Sequence, residues 1–264
     1  MKYLHVILRD ARGIAAVCGW PVALRWLGCI AFTLPACMRT HNLQPADRLM
    51  GRGPFRVTHR AARARLSGEQ VFSGIREIWV RDVYLKNSFL EIPAGALVID
   101  FGANLGNFTN LALAQQKDVR VVAVEPSLRL SESLRASVEA NGWAERVVLK
   151  RAFVGVTTEV QRRVAQDPDY RGAPFMTEKE FLDEFKIERI DFFKCDIEGS
   201  EFFLLEPESK LLSLTRNLAI EIHEWGGSVS HFLSHLRHVG YEIRDVTYGA
   251  GDSCVALCQR TAKA

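Results

Sequence analysis

A short apolar run, Ala96-Leu97-Val98-Ile99, leads into Asp100 and then into two glycines four residues apart, Gly102 and Gly106, before a helical pattern begins. The run is too brief for a helix and is followed at once by turn residues, so it reads as a buried strand ending in a functional loop. Downstream the same alternation repeats. The pattern predicts a helix from Gly106 to about Gln115, a strand Arg120 to Val124, a helix Ser127 to Asn141 and a strand Val147 to Lys150. A helix from about Thr177 to Phe185, strands Ile190 to Lys194 and Asn217 to Ile222, and a helix Val229 to Val239 follow. This order predicts right-handed crossovers and an open, mostly parallel α/β sheet. Tyr241 to Val246 and Ser253 to Gln259 flank the turn-rich Gly249-Ala250-Gly251-Asp252, which predicts an antiparallel hairpin at one sheet edge.

In such a sheet, ligands bind beyond the carboxyl ends of the strands where strand order reverses, so the turn after Asp100 is the expected cofactor site. Gly102 and Gly106 would let the backbone approach the ligand, with Ala103, Asn104 and Asn107 completing the turn. The free N–H groups where the next helix begins suit a carboxylate, and Asp100 can face an ammonium. Glu125, 25 residues after Asp100 and followed by Pro126, is placed to accept hydrogen bonds from both ribose hydroxyls of a nucleoside. A dinucleotide fold competes, but its G-x-G-x-x-G would put glycine where Asn104 stands. An ordinary strand-turn-helix junction with an exposed acid is the plainer alternative. The turn, the spaced acid and the strand-helix order together favour a nucleoside cofactor.

Four blocks, VIDFGANLGNFT from Val98, AVEPS from Ala123, FKCDIEGSE from Phe193 and AIEIH from Ala219, resemble the FkbM-type methyltransferase family over roughly residues 70 to 224. The resemblance includes the upstream EIWVRDVY from Glu77. It implies a class I methyltransferase, Rossmann-like fold, S-adenosylmethionine as methyl donor, and a hydroxyl acceptor on a sugar, polyketide or other secondary metabolite. Cys195 stands where a small or apolar residue is common, and the N-terminal arm lies outside the match.

Methyl transfer from a sulfonium asks the protein to align the acceptor and, for an alcohol, to remove its proton. Asp196, at the end of the fourth parallel strand, is the candidate for touching donor and acceptor together. Glu198 lies two residues on in the same loop, where an N-terminal helix charge is its structural alternative. Glu221 and His223 alternate to one side of the fifth strand, and His223 at its end can serve as general base or as a satisfied structural histidine. These acids would suit Mg²⁺, yet their spacing does not predict a metal. His231, His235 and His238 follow helical spacing without a companion acid or cysteine and read as surface histidines.

Charge divides the chain. Residues 1–90 carry 14 Lys and Arg against 5 Asp and Glu, and residues 91–264 carry 20 against 26. The basic front lacks the aromatic ladder of a nucleic-acid site, so no nucleic-acid partner is expected. Residues 14 to 38 are apolar enough to approach membrane-spanning length, but Arg25, Gly19, Pro21, Gly28 and Pro35 interrupt them. A helix packed on the domain or a partner is expected first, and peripheral membrane contact through residues 1–66 second. Six cysteines without metal spacing read as free thiols of a reducing compartment, which points to a cytoplasmic protein. The expected division is an arm with a short hairpin over 1–66 and a methyltransferase domain over 67–264. The competing functions are a non-catalytic cofactor-binding scaffold, an RNA or protein methyltransferase and, furthest off, an NAD-dependent oxidoreductase. Neither the acceptor nor the oligomeric state is readable from one chain.

Overall fold

The computed structural model describes residues 2–86, 89–249 and 253–261. The arm is helical from its start. Helix α1 (Lys2–Cys18) breaks at Gly19, whose φ of 91° suits glycine, and α2 (Trp20–Thr40) begins with Pro21 in its first turn, where a missing N–H costs nothing. Helix α2 buries Ala23, Trp26, Ile30 and Cys37 on one side and exposes Trp20, Leu24, Phe32 and Met38 on another. It is long and apolar enough to cross a membrane by length and composition. Its mid-segment charge is satisfied within the protein, since Arg25 donates to the Met50 carbonyl at 3.0 Å. Helix α3 (Gln44–Leu49) and the hairpin of β1 (Phe55–His59) and β2 (Ala62–Leu66) complete the arm.

Gly68 and Gln70 take φ of 146° and 62°, outside the helical region, so α4 (Val71–Gly74) is a single turn. It widens into a π-helical turn, Ile75–Val80, and Val83 lies beyond it.

The α/β unit follows as β3 (Leu97–Phe101), α5 (Asn107–Gln115), β4 (Arg120–Val124), α6 (Leu128–Ala140) and β5 (Val147–Lys150). Next come β6 (Phe153–Val154), α7 (Glu159–Val164), β7 (Phe175–Met176), α8 (Glu178–Phe185) and β8 (Ile190–Cys195). The chain ends with α9 (Leu211–Leu214), β9 (Thr215–Ile222), α10 (Val229–His238), β10 (Tyr241–Tyr248) and β11 (Cys254–Arg260). The main sheet runs β10-β11-β9-β8-β3-β4-β5, with β11 antiparallel to both its neighbours and the other pairs parallel. That is the class I methyltransferase order, hairpin included. Residues 155–178 carry α7 and β7, the latter paired with β6. Of the hairpin turn, residues 250–252 lie outside the described residues.

Alternation along the central strands splits the core into two layers. Val98, Val121, Ala123 and Phe192 face α5, α6 and the arm, while Ile99, Phe101, Val122, Val124 and Phe193 face α8, α9 and α10. Chain order moves outward from β3 to β5 and returns to β8 on the far side of β3. The loops after β3 and β8 therefore meet at the switch point.

Candidate active site

The two loops touch. A Cβ on Gly102 (φ 72°) would lie 1.7 Å from the Asp196 carbonyl oxygen, and one on Gly106 (φ 79°) would lie 2.6 Å from Leu134 Cγ. Both glycines were expected to clear space for a ligand; the space a side chain would need is taken by the protein itself. Asn104 adopts the left-handed conformation, φ 51°, and its N–H donates to Glu125 Oε2 at 2.8 Å, while the Ser127 N–H donates to Oε1 at 2.9 Å. Each Glu125 oxygen keeps acceptor capacity. Burial pushes this carboxyl up to about 7, against the lowering effect of those two N–H groups.

Glu125 and Pro126 line a cavity of about 360 Å³ together with Phe153, Gln161 and Tyr170. A second cavity of about 320 Å³ is lined by Glu77, Ile78, Ala103, Asn107 and Lys194 among others. Gly102, Asn104, Leu130 and Asp196 belong to both, so the two form adjoining halves of one groove along the turn. In the second half, buried Asn107 Oδ1 has no hydrogen-bond partner among the described residues.

Asp100 lines neither half. It is fully buried behind the turn, where Oδ2 accepts from Thr109 Oγ1 at 2.6 Å and Oδ1 lies 3.3 Å from Lys194 Nζ. The cation expected beside it is thus an internal one. Lys194 donates to the carbonyls of Phe101 and Gly102 at 3.1 and 2.7 Å and stands 3.7 Å from Asp196 Oδ2. Burial would pull its ammonium down, but Asp100 and then Asp196 more than offset this and hold it above its ordinary value. Sequence reasoning passed Lys194 by, although a lysine between Phe193 and Cys195 in a strand buried on both faces must be paired.

Asp196, Glu221 and His223 do come together, each offering a ligand atom within 4.8 Å of the others. Glu198 joins them from an exposed position, its Oε2 3.7 Å from His223 Nε2. Tyr84 donates to Asp196 Oδ2 at 3.3 Å. The residue that sequence reasoning left without a role is Glu201. It is fully buried, takes the His223 and Gly199 N–H groups, and lies 2.9 Å from His223 Nδ1. Burial opposes protonation of His223, but the Glu201 hydrogen bond and charge, then Asp196 and Glu221, raise it to about 9. Burial and then Asp196 raise Glu221 to about 7. In the protein as it stands, the expected base His223 therefore holds its proton near neutral pH, and Glu221 is the group poised there. His231 and His238 are exposed and His235 half-buried on α10, as expected of surface histidines.

The sequence model of the methyltransferase FkbM domain matches residues 100–243. The AMB antimetabolite synthetase AmbE of Pseudomonas aeruginosa is 25% identical over 222 residues, covering 64% of this chain but 10% of that protein. Among solved structures, the METTL16 methyltransferase domain aligns with a TM-score of 0.47 at 15% identity, covering 76% of this chain and 74% of that one. Fibrillarin of Aeropyrum pernix, holding S-adenosyl-L-methionine, aligns with a TM-score of 0.41 at 13% identity, covering 64% and 68%. TrmK of M. capricolum, in complex with S-adenosyl-homocysteine, aligns at 0.39 and 13%, covering 62% of each chain.

Proposed function

The chain belongs to the FkbM methyltransferase family, and from that premise we propose that it transfers a methyl group from S-adenosylmethionine to a hydroxyl of a small molecule, such as a sugar, glycolipid or secondary metabolite. The observation that carries the reading is the carboxylate–histidine cluster of Asp196, Glu221 and His223, which meets the groove through Asp196, a residue lining both its halves, one of them shared with Glu125. The residues fit the donor. Glu125 has acceptor capacity left for the ribose hydroxyls, and the partnerless Asn107 Oδ1 can accept from the ammonium. The first turn of α5 offers backbone N–H groups to the carboxylate, those of Gly102, Ala103, Asn104 and Gly106 being already donated to Val124, Glu125 and Ala103. When bound, the donor supplies a methyl on an activated sulfonium. Asp196 bounds both halves of the groove and orients what lies between them, and Asp100 acts from behind through Lys194. Glu221, with His223 and Glu198 beside it, takes the hydroxyl proton. An Asp-Ile-Glu-Gly loop at residues 196–199 supports oxygen rather than base-nitrogen chemistry.

Turnover of S-adenosylmethionine with a panel of hydroxylated small molecules, RNA and peptides tests the reading. We expect methylation among the hydroxyl compounds, reduced about 100-fold by Glu221→Gln. Methylation of RNA or peptide alone would refute the oxygen acceptor, and cofactor binding without turnover on any of them would favour a scaffold.

Glu125 makes donor binding depend on pH. Ribose hydroxyls donate to the ionised carboxylate, so binding lowers its pKa from about 7 and expels a proton. Affinity for S-adenosylmethionine is expected to rise as pH rises through 7 and then level off. Calorimetry in buffers of different ionisation enthalpy should show proton release near pH 7 that vanishes in Glu125→Gln.

A further inference from the structure

We infer that Asp196, Glu221 and His223 form a binding site for one divalent transition-metal ion of the Mn²⁺ class, beside the groove where Asp196 lines both its halves. The inference deepens the methyltransferase reading by naming what grips the acceptor. The first observation is the convergence of the three ligand atoms within 4.8 Å of one another, in a bowl where Asp196 and Glu221 stay partly open to solvent. The second concerns His223 alone. Its side chain is 5% exposed, and its Nε2 makes no hydrogen bond among the described residues, standing 3.7 Å from Glu198 Oε2, 3.8 Å from Glu221 Oε1 and 3.9 Å from Asp196 Oδ1. Those separations are too long for hydrogen bonds. They are the spacing of ligands: atoms about 2.1 Å from a shared ion stand between about 3.0 Å apart at right angles and about 4.2 Å apart across it.

The ring cannot turn away from this position. Glu201 holds Nδ1 at 2.9 Å, and Trp225 packs against the ring at a centroid distance of 4.4 Å. A carboxylate on Nδ1 keeps a proton there, so an ion entering the bowl displaces only the proton that His223 otherwise holds on Nε2 and takes its lone pair, the arrangement usual behind a metal-ligating histidine. One imidazole with two carboxylates suits Mn²⁺ or its first-row neighbours better than Ca²⁺, which prefers oxygen ligands throughout. Three protein ligands leave positions open, and an acceptor hydroxyl entering one would be polarised toward loss of its proton to the oxygen of Glu221 that does not hold the ion.

The test is titration of the full chain with Mn²⁺ alone, read by loss of the free-ion electron paramagnetic resonance signal. One ion per chain is expected, with Asp196→Asn and Glu221→Gln each weakening binding at least tenfold and Glu201→Gln about 10–100-fold. Circular dichroism on each variant separates loss of the site from loss of the fold. Absence of Mn²⁺ binding by the unaltered chain would overturn the site. Binding that survives both ligand substitutions would equally overturn it, placing the ion elsewhere, as on the His231–His235–His238 row. S-adenosylmethionine binding, measured on the same samples without metal, reads the methyltransferase assignment separately, so either can fail while the other stands.

Discussion

Replacing Lys194 with methionine is expected to destabilise the protein by about 3–5 kcal/mol, the cost of stranding a buried charge when its partner is removed. The Lys194 side chain is 4% exposed and that of Asp100 is fully buried, so no solvent can take over the ammonium's part. The variant would leave the Asp100 carboxylate with the Thr109 hydroxyl as its remaining hydrogen bond and take the Lys194 donor from the Gly102 and Phe101 carbonyls, the latter keeping the Asp196 N–H. Chemical denaturation should show a lower midpoint with little change in slope, because the surface exposed on unfolding is the same. The double variant Lys194→Met/Asp100→Asn should recover part of the loss, since it removes the stranded charge as well as its partner. Donor affinity should fall in the single variant too, because Lys194 ties the two loops that line both halves of the groove. A single variant that loses less than about 1 kcal/mol would mean the pair is solvated, as exposed pairs are.

Lys194 also marks where the sequence stopped being readable. Period and turn chemistry gave the strands, because a sheet covered on both faces needs apolar runs and Leu97–Phe101 or Ile190–Cys195 have little else. The antiparallel edge was legible for the same reason, from glycines between two alternating runs. Asp196, Glu221 and His223 could be named as site residues because they end strands on the ligand-binding side of the sheet. What could not be read was pairing. That Asp100 answers Lys194 94 residues away, or that Glu201 clamps His223, depends on which strands are neighbours, and local pattern carries no such information. The arm was obscure for a related reason. Its sequence could be read as a helix packed on the domain or as peripheral membrane contact, while the burial of some of its charges against others follows from the tertiary fold.

Asp47→Ala is the variant that tests what those buried charges do. Arg76, in the π-helical turn, donates to Asp47 through Nε at 3.1 Å and Nη2 at 2.7 Å, and to Asp10 of α1 through Nη1 at 3.0 Å. Trp26 of α2 donates its indole N–H to Asp47 at 2.9 Å. Three arm helices thus converge on one guanidinium, and the next two residues, Glu77 and Ile78, line the groove. Removing Asp47 leaves a buried guanidinium half-paired and an indole N–H unsatisfied, for an expected loss of about 3–5 kcal/mol. Asp47→Asn should lose less, since it keeps an acceptor for Trp26, and Asp47→Ala/Arg76→Met less again, since it buries no orphaned charge. Acid should act in the same direction through Asp10. Burial would raise its carboxyl, but Arg81, Arg9 and Arg76 outweigh this and hold it below 3.8, so its stabilisation is present above that pH and lost as pH falls through the lowered value. Limited proteolysis should then cut between α2 and β1 in Asp47→Ala before the sheet unfolds. Equal stability of Asp47→Ala and the unaltered chain would show that apolar packing alone seats the arm, and the groove wall beside Arg76 would owe nothing to it.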